Sequence, residues 1–258
     1  MHRLLQPFSL ALLLSLCACA SNKSVDNKSA REPVALLHGL ALNAFSMKKI
    51  GTGLQDAGYH TCRIDYPSRH YSIDTLVSQF ILPALSACFP EETRPIRFVT
   101  HSMGGILLRQ LATLPNAPNI GRVVMICPPN HGSEIVDHLG DWKVFGLWNG
   151  PAGRELGTDS NSVPNRLNRL GPPPFEFGVI AANHSVEPLF SEWIPGVDDG
   201  KVSVESTKLP GMRDFVEIEA SHTYVLLRGE TVKQVVSFMN HGRFNHEKRL
   251  SDSTQIAP

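Results

Sequence analysis

The chain has 258 residues, of which 42% are hydrophobic and 19% charged, and its 24 basic residues balance its 24 acidic ones. This length is sufficient for one large domain, or two small ones, with a sizeable buried core. The apolar fraction and the zero net charge exclude an intrinsically disordered chain. The charge balance also lacks the basic excess of nucleic-acid-binding proteins, so we expect no nucleic-acid partner.

The first eighteen residues have the pattern of an export signal. His2 and Arg3 precede an uncharged, largely apolar stretch that is too short for a membrane span of about 20 residues. Residues 16–19, Leu-Cys-Ala-Cys, resemble the bacterial lipoprotein signal, in which cleavage precedes a cysteine that then carries lipid. Cys19 fits this pattern better than Cys17, because a small residue precedes it. Secretion without lipid, or an uncleaved anchor, is the alternative.

The segment that follows is polar and without periodicity, so we interpret residues 19–31 as a flexible tether to the membrane. No aspartate follows Cys19 directly, which in a Gram-negative host would imply the outer membrane, facing the periplasm. A secreted or periplasmic protein is the other possibility. Export also permits disulfides, and Cys62–Cys88 is the pair expected first, with Cys127 left over; three buried thiols are the alternative.

From residue 32 onward, short apolar runs alternate with longer amphipathic ones. The expected strands are Val34–Leu37, Tyr59–Ile64, Ile96–Thr100, Gly121–Ile126, Phe175–Ala182 and Asp214–Glu219, and the expected helices are Asn43–Ala57, Ser72–Cys88, Met103–Thr113, Ser133–Leu139 and Glu230–Asn240. This alternation predicts one α/β domain over residues 32–245, with a mostly parallel sheet covered by helices on both faces. Residues 246–258 form a tail.

The segment from Asp141 to Pro174 interrupts this alternation. It is rich in glycine and proline, and it carries Trp142, Phe145 and Trp148. Connections of this length are uncommon unless they have a function. We expect a lid or cap whose aromatic side chains line an apolar substrate pocket, and the alternative is a surface excursion packed on the sheet.

Residues 96–105 predict a strand, a sharp turn at Ser102 and a helix. A serine at such a turn has its hydroxyl exposed above the sheet edge, and crowding requires small residues two positions away on each side. Gly104 meets this requirement, whereas Thr100 is larger than the glycine usual at that position. The turn also directs the positive end of the helix at whatever the serine attacks.

A nucleophilic serine needs a general base and an acid that orients it. His222 follows the last expected strand and is the candidate base, ahead of His131 and His184, which precede the acid in the chain. Asp199 is the candidate acid, and the adjacent Asp198 is the alternative, with turn formation its expected role.

These motifs resemble those of the α/β-hydrolase superfamily, especially its small bacterial lipases and esterases. The similarity runs from about Pro33 to Phe244 and rests on four motifs: Leu37-His38-Gly39-Leu40, the Ser102 turn, residues 198–202 (Asp-Asp-Gly-Lys-Val) and Ser221-His222-Thr223. The resemblance implies a reduced α/β-hydrolase fold with six strands. It also implies that the backbone N–H groups of Leu40 and Met103 form the oxyanion hole, and that His38 bonds to backbone.

The expected function is hydrolysis of carboxylic esters through a Ser-His-Asp triad and an acyl-enzyme, without a cofactor or metal. The expected partners are a small ester or lipid substrate and a membrane. Phospholipids, thioesters and amides are alternative substrates, since a fold does not select among them. An inactive relative that serves as a surface-binding module is the alternative outside enzymes, and Thr100 is its only support.

Overall fold

The computed structural model describes residues 31–139 and 143–246. Several expectations fall outside the described residues: the export signal, the tether up to residue 30, the tail beyond His246, and the lipid site at Cys19. Trp142 lies outside them as well. No helix in the described ranges combines the length and the apolar character needed to cross a membrane.

All six expected strands are present and form one sheet. They are β1 (Pro33–Leu37), β2 (His60–Ile64), β3 (Ile96–His101), β4 (Ile120–Ile126), β5 (Phe177–Ala182) and β6 (Asp214–Ile218). Their order is β2-β1-β3-β4-β5-β6, and each neighbouring pair is parallel. The prediction of a six-stranded sheet is therefore confirmed, and the described sheet is entirely parallel.

The helices lie between the strands. They are α1 (Lys48–Asp56), α2 (Ile73–Thr75), α3 (Leu82–Cys88), α4 (Met103–Leu111), α5 (Glu134–Leu139), α6 (Lys143–Arg154), α7 (Val163–Asn168), α8 (Pro188–Ser191), α9 (Val204–Thr207) and α10 (Gly229–His241). Two turns of 3-10 helix, Ala44–Met47 and Tyr224–Leu227, precede α1 and α10.

The central strands of the sheet are buried on both faces, which is why β1, β3, β4 and β5 are largely apolar runs. Along β1, Val34 and Leu36 pack with α1 and α10, whereas Ala35 and Leu37 pack with α3 and α4. Residues of β1 are fully inaccessible to solvent from Val34 to Leu37. Two apolar layers therefore hold the sheet, and functional groups are left to the loops at its carboxyl edge.

The expected helix Ser72–Cys88 is divided into three parts. Between α2 and α3, residues Leu76–Ile81 form a wider π-helical turn. Pro83 stands in the first turn of α3. A proline within a helix lacks the N–H for the i−4 hydrogen bond and collides with that carbonyl, so a uniform helix through this residue is unfavourable. The predicted helical stretch is therefore present from Ile73 to Cys88, and its hydrogen-bond pattern changes in the middle.

The segment 141–174 contains two helices that the sequence did not predict, α6 and α7. α6 is broken at Gly150, whose φ of 65° is left-handed and whose Cβ, if present, would lie 1.6 Å from the carbonyl oxygen of Arg69. Ala152, Leu156 and Leu167 belong to the core layer on the α4 side of the sheet. Much of this segment is thus part of the packed body, and its action as a lid stays a prediction.

A disulfide joins Cys62 on β2 to Cys88 at the end of α3, with their Cα atoms 6.0 Å apart. This is the pair expected from the sequence, and Cys127 is a buried free thiol. β2 is an edge strand of the sheet. The bond therefore fastens an edge of the sheet to the helical layer beside it.

Candidate active site

The turn between β3 and α4 has the strained backbone expected of a nucleophile. Ser102 has φ 52° and ψ −125°, values that non-glycine residues rarely adopt. Its N–H donates to the carbonyl of Ile126 over 2.8 Å, which anchors the turn to β4. A Cβ at Gly104 would lie 2.7 Å from the carbonyl oxygen of Leu37. The helix can therefore approach β1 this closely only with glycine at position 104.

Thr100 fits where the sequence led us to expect a smaller residue. Its side chain is fully buried, and its hydroxyl has no hydrogen-bond partner among the described residues. The space comes from Gly105 on α4, where an added Cβ would already lie 3.4 Å from that hydroxyl and 3.1 Å from Pro128. The Thr-x-Ser-x-Gly-Gly pattern thus moves the requirement for a small residue from position 100 to position 105.

Three side chains that are far apart in the sequence meet at the carboxyl edge of the sheet. The Oγ of Ser102 lies 2.9 Å from Nε2 of His222, and Nδ1 of His222 lies 2.7 Å from Oδ2 of Asp199. The backbone N–H of His222 also donates to the carbonyl of Asp199 over 3.0 Å. This second bond fixes the two loops to each other independently of the imidazole.

The environment of Asp199 favours its charged form. Burial alone would raise the pKa of this carboxyl, but the charge and hydrogen bond of His222 and the backbone N–H groups of Val202 and Lys201 together lower it. Those two N–H groups donate to Oδ1 over 2.9 and 3.0 Å, which leaves Oδ2 for the imidazole. The carboxylate is thus positioned to orient His222 and to stabilise its protonated form.

The sequence did not reveal two buried residues that contact this group. His101 donates from Nε2 to the carbonyl of His222 over 2.8 Å, and burial lowers the pKa of its ring to about 3, so it is neutral. Burial, followed by the charge of Asp199, raises the pKa of the Cys127 thiol well above its usual value. His101 is adjacent to Ser102 in the sequence, which was the available signal; for Cys127, at the end of β4, there was none.

The loop after β1 reaches the serine closely. A Cβ at Gly39 would lie 3.1 Å from Cβ of Ser102 and 2.8 Å from Nδ1 of His101. His38 donates from Nδ1 to the carbonyl of Gly39 over 2.8 Å, and its ring stacks on Tyr66, whose hydroxyl donates to the His38 carbonyl. The expectation that His38 bonds to backbone agrees with this geometry.

Ser102 and His222 open into a pocket of about 410 Å³. Most of its wall is apolar, and the residues that form it include Leu40, Leu42, Ile135, Val136, Leu139, Leu156 and Phe190. The expected aromatic lining is not tested. Phe145 and Trp148 lie on α6, but their side chains, like the whole of Trp142, are outside what the structure describes. The described wall includes residues of α5, α8 and the loop after β1, together with Asn149 of α6 and Leu156 just after it.

The competing residues have other contacts. Asp198 accepts hydrogen bonds from Ser191 Oγ and from the N–H of Gly200, as expected of a turn-forming aspartate. His131 pairs with the side-chain amide of Asn168, and the backbone of His184 bonds to Ala220. Just after the candidate acid, the short helix α9 begins at Val204, and Ser203 caps it.

The grouping of metal-ligand side chains found in the described ranges coincides with this site. It consists of Cys127, Asp199 and His222, whose ligand atoms lie within 4.8 Å of one another. Asp199 and His222 hydrogen bond directly to each other, so no gap for an ion separates their ligand atoms. The arrangement suits proton transfer between oxygen and nitrogen rather than metal binding.

Neither a scan against protein-family models nor a search of curated proteins gives a match. Solved structures do match. The mature lipase BlEst2 of Bacillus licheniformis is 19% identical, with a TM-score of 0.66 over 82% of this chain and 91% of that one. The metagenomic carboxyl esterase MGS0156 is 21% identical, with a TM-score of 0.59 over 75% of this chain and 65% of that one.

The phospholipase PlaB of Legionella pneumophila is 17% identical, with a TM-score of 0.52 over 69% of this chain. The chain spans only 45% of that phospholipase. At these identities the likeness concerns the architecture. Together with the parallel six-stranded sheet and its order, it shows that this chain has the α/β-hydrolase fold.

Proposed function

We propose that this protein is a serine hydrolase that cleaves carboxylic esters. The observation that carries the proposal is the continuous hydrogen-bonded series from Ser102 through His222 to Asp199. It stands at the turn where the fold places its nucleophile, and it opens into an apolar pocket. The similarity in fold to a lipase and a carboxyl esterase supports this reaction class.

In the proposed mechanism, His222 removes the proton of the Ser102 hydroxyl as its oxygen attacks the acyl carbon. The ester oxygen leaves with the proton from Nε2, and an acyl-enzyme forms on Ser102. Water, activated by the same imidazole, then releases the carboxylic acid. Asp199 accepts the hydrogen bond from Nδ1 throughout and stabilises the imidazolium, because its pKa is held low.

We assign the oxyanion hole to the backbone N–H groups of Met103 and Leu40. Met103 begins α4, so its N–H has no acceptor within the helix. Leu40 lines the pocket beside Ser102, and the absence of a side chain at Gly39 allows its loop to approach this closely. Loss of one such donor typically lowers kcat about 100- to 1,000-fold.

An activity-based probe tests the nucleophile. A fluorophosphonate is expected to label the folded wild-type chain at Ser102, and Ser102→Ala is expected to lose both labelling and ester hydrolysis with an unchanged melting temperature within about 3 °C. Ser133→Ala is the matched control, because Ser133 lines the same pocket but has no bond to His222. Absence of label at Ser102 in folded protein contradicts the mechanism.

The acyl substrate follows from the apolar wall of the pocket, and we propose esters of aliphatic or aromatic acids. Phospholipid, thioester and amide substrates share the same attack on a carbonyl, and a panel of these compounds on one preparation ranks them. An inactive, surface-binding relative would leave every compound intact. The intact triad geometry favours the enzyme.

We also propose that the protein is an exported lipoprotein anchored through Cys19. Cys19→Ser is expected to abolish incorporation of radioactive fatty acid and to release the protein from membranes, because multiple acyl chains supply the anchor. Cys17→Ser is the matched control and is expected to keep both properties. Unchanged membrane attachment of Cys19→Ser contradicts the lipid anchor.

A further inference from the structure

A second concavity lies beside the pocket at Ser102. It has a volume of about 720 Å³ and is bounded by α1, the start of α10 and the turn Tyr224–Leu227. Sites for small molecules commonly have about 300–1,000 Å³. Thr223, directly after His222, lines both cavities, so they adjoin at this residue. We call this second cavity the α1/α10 groove.

The floor of the α1/α10 groove is apolar. Gly53 lets the two helices approach, since a Cβ there would lie 2.2 Å from Cγ1 of Val232. Leu226 is buried beside it, whereas Phe45 and Leu227 at the border are 71% and 56% exposed. Large apolar side chains that border a concave surface in this way indicate a binding site rather than ordinary surface.

The border of the groove is cationic. Lys48, Lys49 and Lys233 line it together with Asp56, a net charge of +2. None of these lysines takes part in the ion pairs found in residues 31–139 and 143–246. Lys49 donates to the carbonyl of Leu227 over 2.6 Å. Nζ of Lys48 lies over the Phe45 ring, 5.5 Å from its centre. Neither Lys48 nor Lys233 thus has an anionic partner in the described ranges.

An apolar floor with a cationic border is complementary to an amphiphile that has one apolar chain and an anionic head. We propose that the α1/α10 groove binds a free long-chain fatty acid, with its carboxylate at the lysine border and its chain along Val232 and Leu226. The groove is concave, and a concave surface can hold a single acyl chain. A bilayer would instead contact groups that protrude from the protein surface. Hydrolysis of a lipid ester releases such an acid, so the origin of the ligand, though not the groove itself, rests on the proposed function.

Photo-crosslinking tests this site without turnover. The full-length Ser102→Ala chain is irradiated with a long-chain fatty acid that carries a diazirine in its chain, and mass spectrometry locates the label. We expect label within residues 45–53 and 226–233, and we expect excess unlabelled palmitate to remove it. The experiment needs no ester hydrolysis, so it is independent of the proposed activity.

Charge and apolar contact are tested separately. Lys48→Gln with Lys233→Gln is expected to lower labelling of the groove about fivefold, which corresponds to about 1 kcal/mol in total, as is typical of ionic contacts near the surface. Lys208→Gln, on a lysine outside the groove, is the matched control. A diazirine-labelled fatty alcohol, which lacks the carboxylate, is expected to label the groove as weakly as the double variant. Circular dichroism of each variant confirms its fold.

Three results would overturn the proposal. Label confined to residues of the pocket at Ser102 would mean that only that pocket takes the chain. Label spread equally over exposed apolar residues such as Leu170 and Leu189 would indicate contact with a bilayer. Groove labelling that is unaffected by loss of both lysines would exclude recognition of the carboxylate. Failure of the proposed function would instead appear as fluorophosphonate that does not react with Ser102, with the labelling of the groove unchanged.

Discussion

His101 combines complete burial with a direct bond to the loop that carries the candidate base. Its side chain is 1% exposed, and its Nδ1 has no hydrogen-bond partner in the described part of the chain. Protonation would place a charge next to His222 in a site without solvent, and burial therefore lowers the pKa of His101 to about 3. A neutral ring can donate only from Nε2 here, and that bond holds the His222 carbonyl.

This shifted pKa predicts acid sensitivity. Below pH 6.5 the unfolded chain protonates His101 and the folded chain does not, so the unfolded state binds more protons and the free energy of unfolding falls as pH falls. We expect His101 to account for a loss of about 2 kcal/mol between pH 6.5 and 4.5. Urea denaturation of wild type and His101→Gln at both pH values measures the difference.

His241→Gln, at the exposed end of α10, is the control for this experiment and is expected to keep the pH dependence of wild type. Equal pH dependence in wild type and His101→Gln would show that the ring takes up a proton as readily in the folded state as in the unfolded state. That result would contradict the inference that burial keeps the His101 ring neutral.

At the scale of elements, the sequence predicted the strands well and the short helices badly. The four central strands are apolar and β-branched runs in the middle of a parallel sheet, so burial causes both their sequence pattern and their place in the structure. α8 and α9 have four residues each. Helices this short are stable only through tertiary contacts and caps, which periodicity does not record.

The residues of the candidate site likewise divide into those that the sequence predicted and those that it did not. Ser102, Asp199 and His222 could be predicted because each follows a strand or stands in a recognisable turn, and the chain order of the three is typical of this fold. His101 and Cys127 could not be given a role, because their contacts depend on how the ends of β3 and β4 approach the loops after β5 and β6. The distances between these segments are set by the assembled sheet, so the pattern of residues along the chain does not reveal them.

The disulfide between β2 and α3 is expected to contribute measurably to the stability of the protein. Cys62 and Cys88 are 26 residues apart in sequence. In the chain-entropy description, a closed loop of this length stabilises the folded state by about 3.5 kcal/mol. We expect the double variant Cys62→Ala, Cys88→Ala to lose about this amount in urea denaturation.

Reductant serves as the control for that measurement. It is expected to destabilise wild type to a similar extent and to leave the double variant unchanged. Equal stability of oxidised wild type and the double variant would show that the attachment of β2 to α3 depends on packing alone.

At the scale of the whole molecule, the layers on the two faces of the sheet differ in what they leave open. On the α4 side, Val136 on α5 and Leu156 after α6 form part of the wall of the pocket at Ser102. On the other side, α1 and α10 leave the groove of about 720 Å³. We expect the pocket at Ser102, rather than the larger groove, to select the ester, because the candidate nucleophile lies in it.

Filling this pocket should therefore change chain-length preference. Val136→Trp is expected to lower kcat/KM for p-nitrophenyl decanoate about tenfold or more, because the longer chain loses its space. The acetate ester is expected to change by less than about threefold. Val186→Trp, on an exposed residue outside the pocket, is the control. An equal fall for both esters would place the acyl chain elsewhere.

The left-handed backbone at Ser102 has a cost that every folded copy of the molecule carries, of about 1–3 kcal/mol for a residue with a side chain. Glycine at this position would remove that cost together with the hydroxyl. A laboratory selection for heat resistance alone would thus favour the loss of the nucleophile, and thermostable descendants of this chain would have to be screened for turnover at each round.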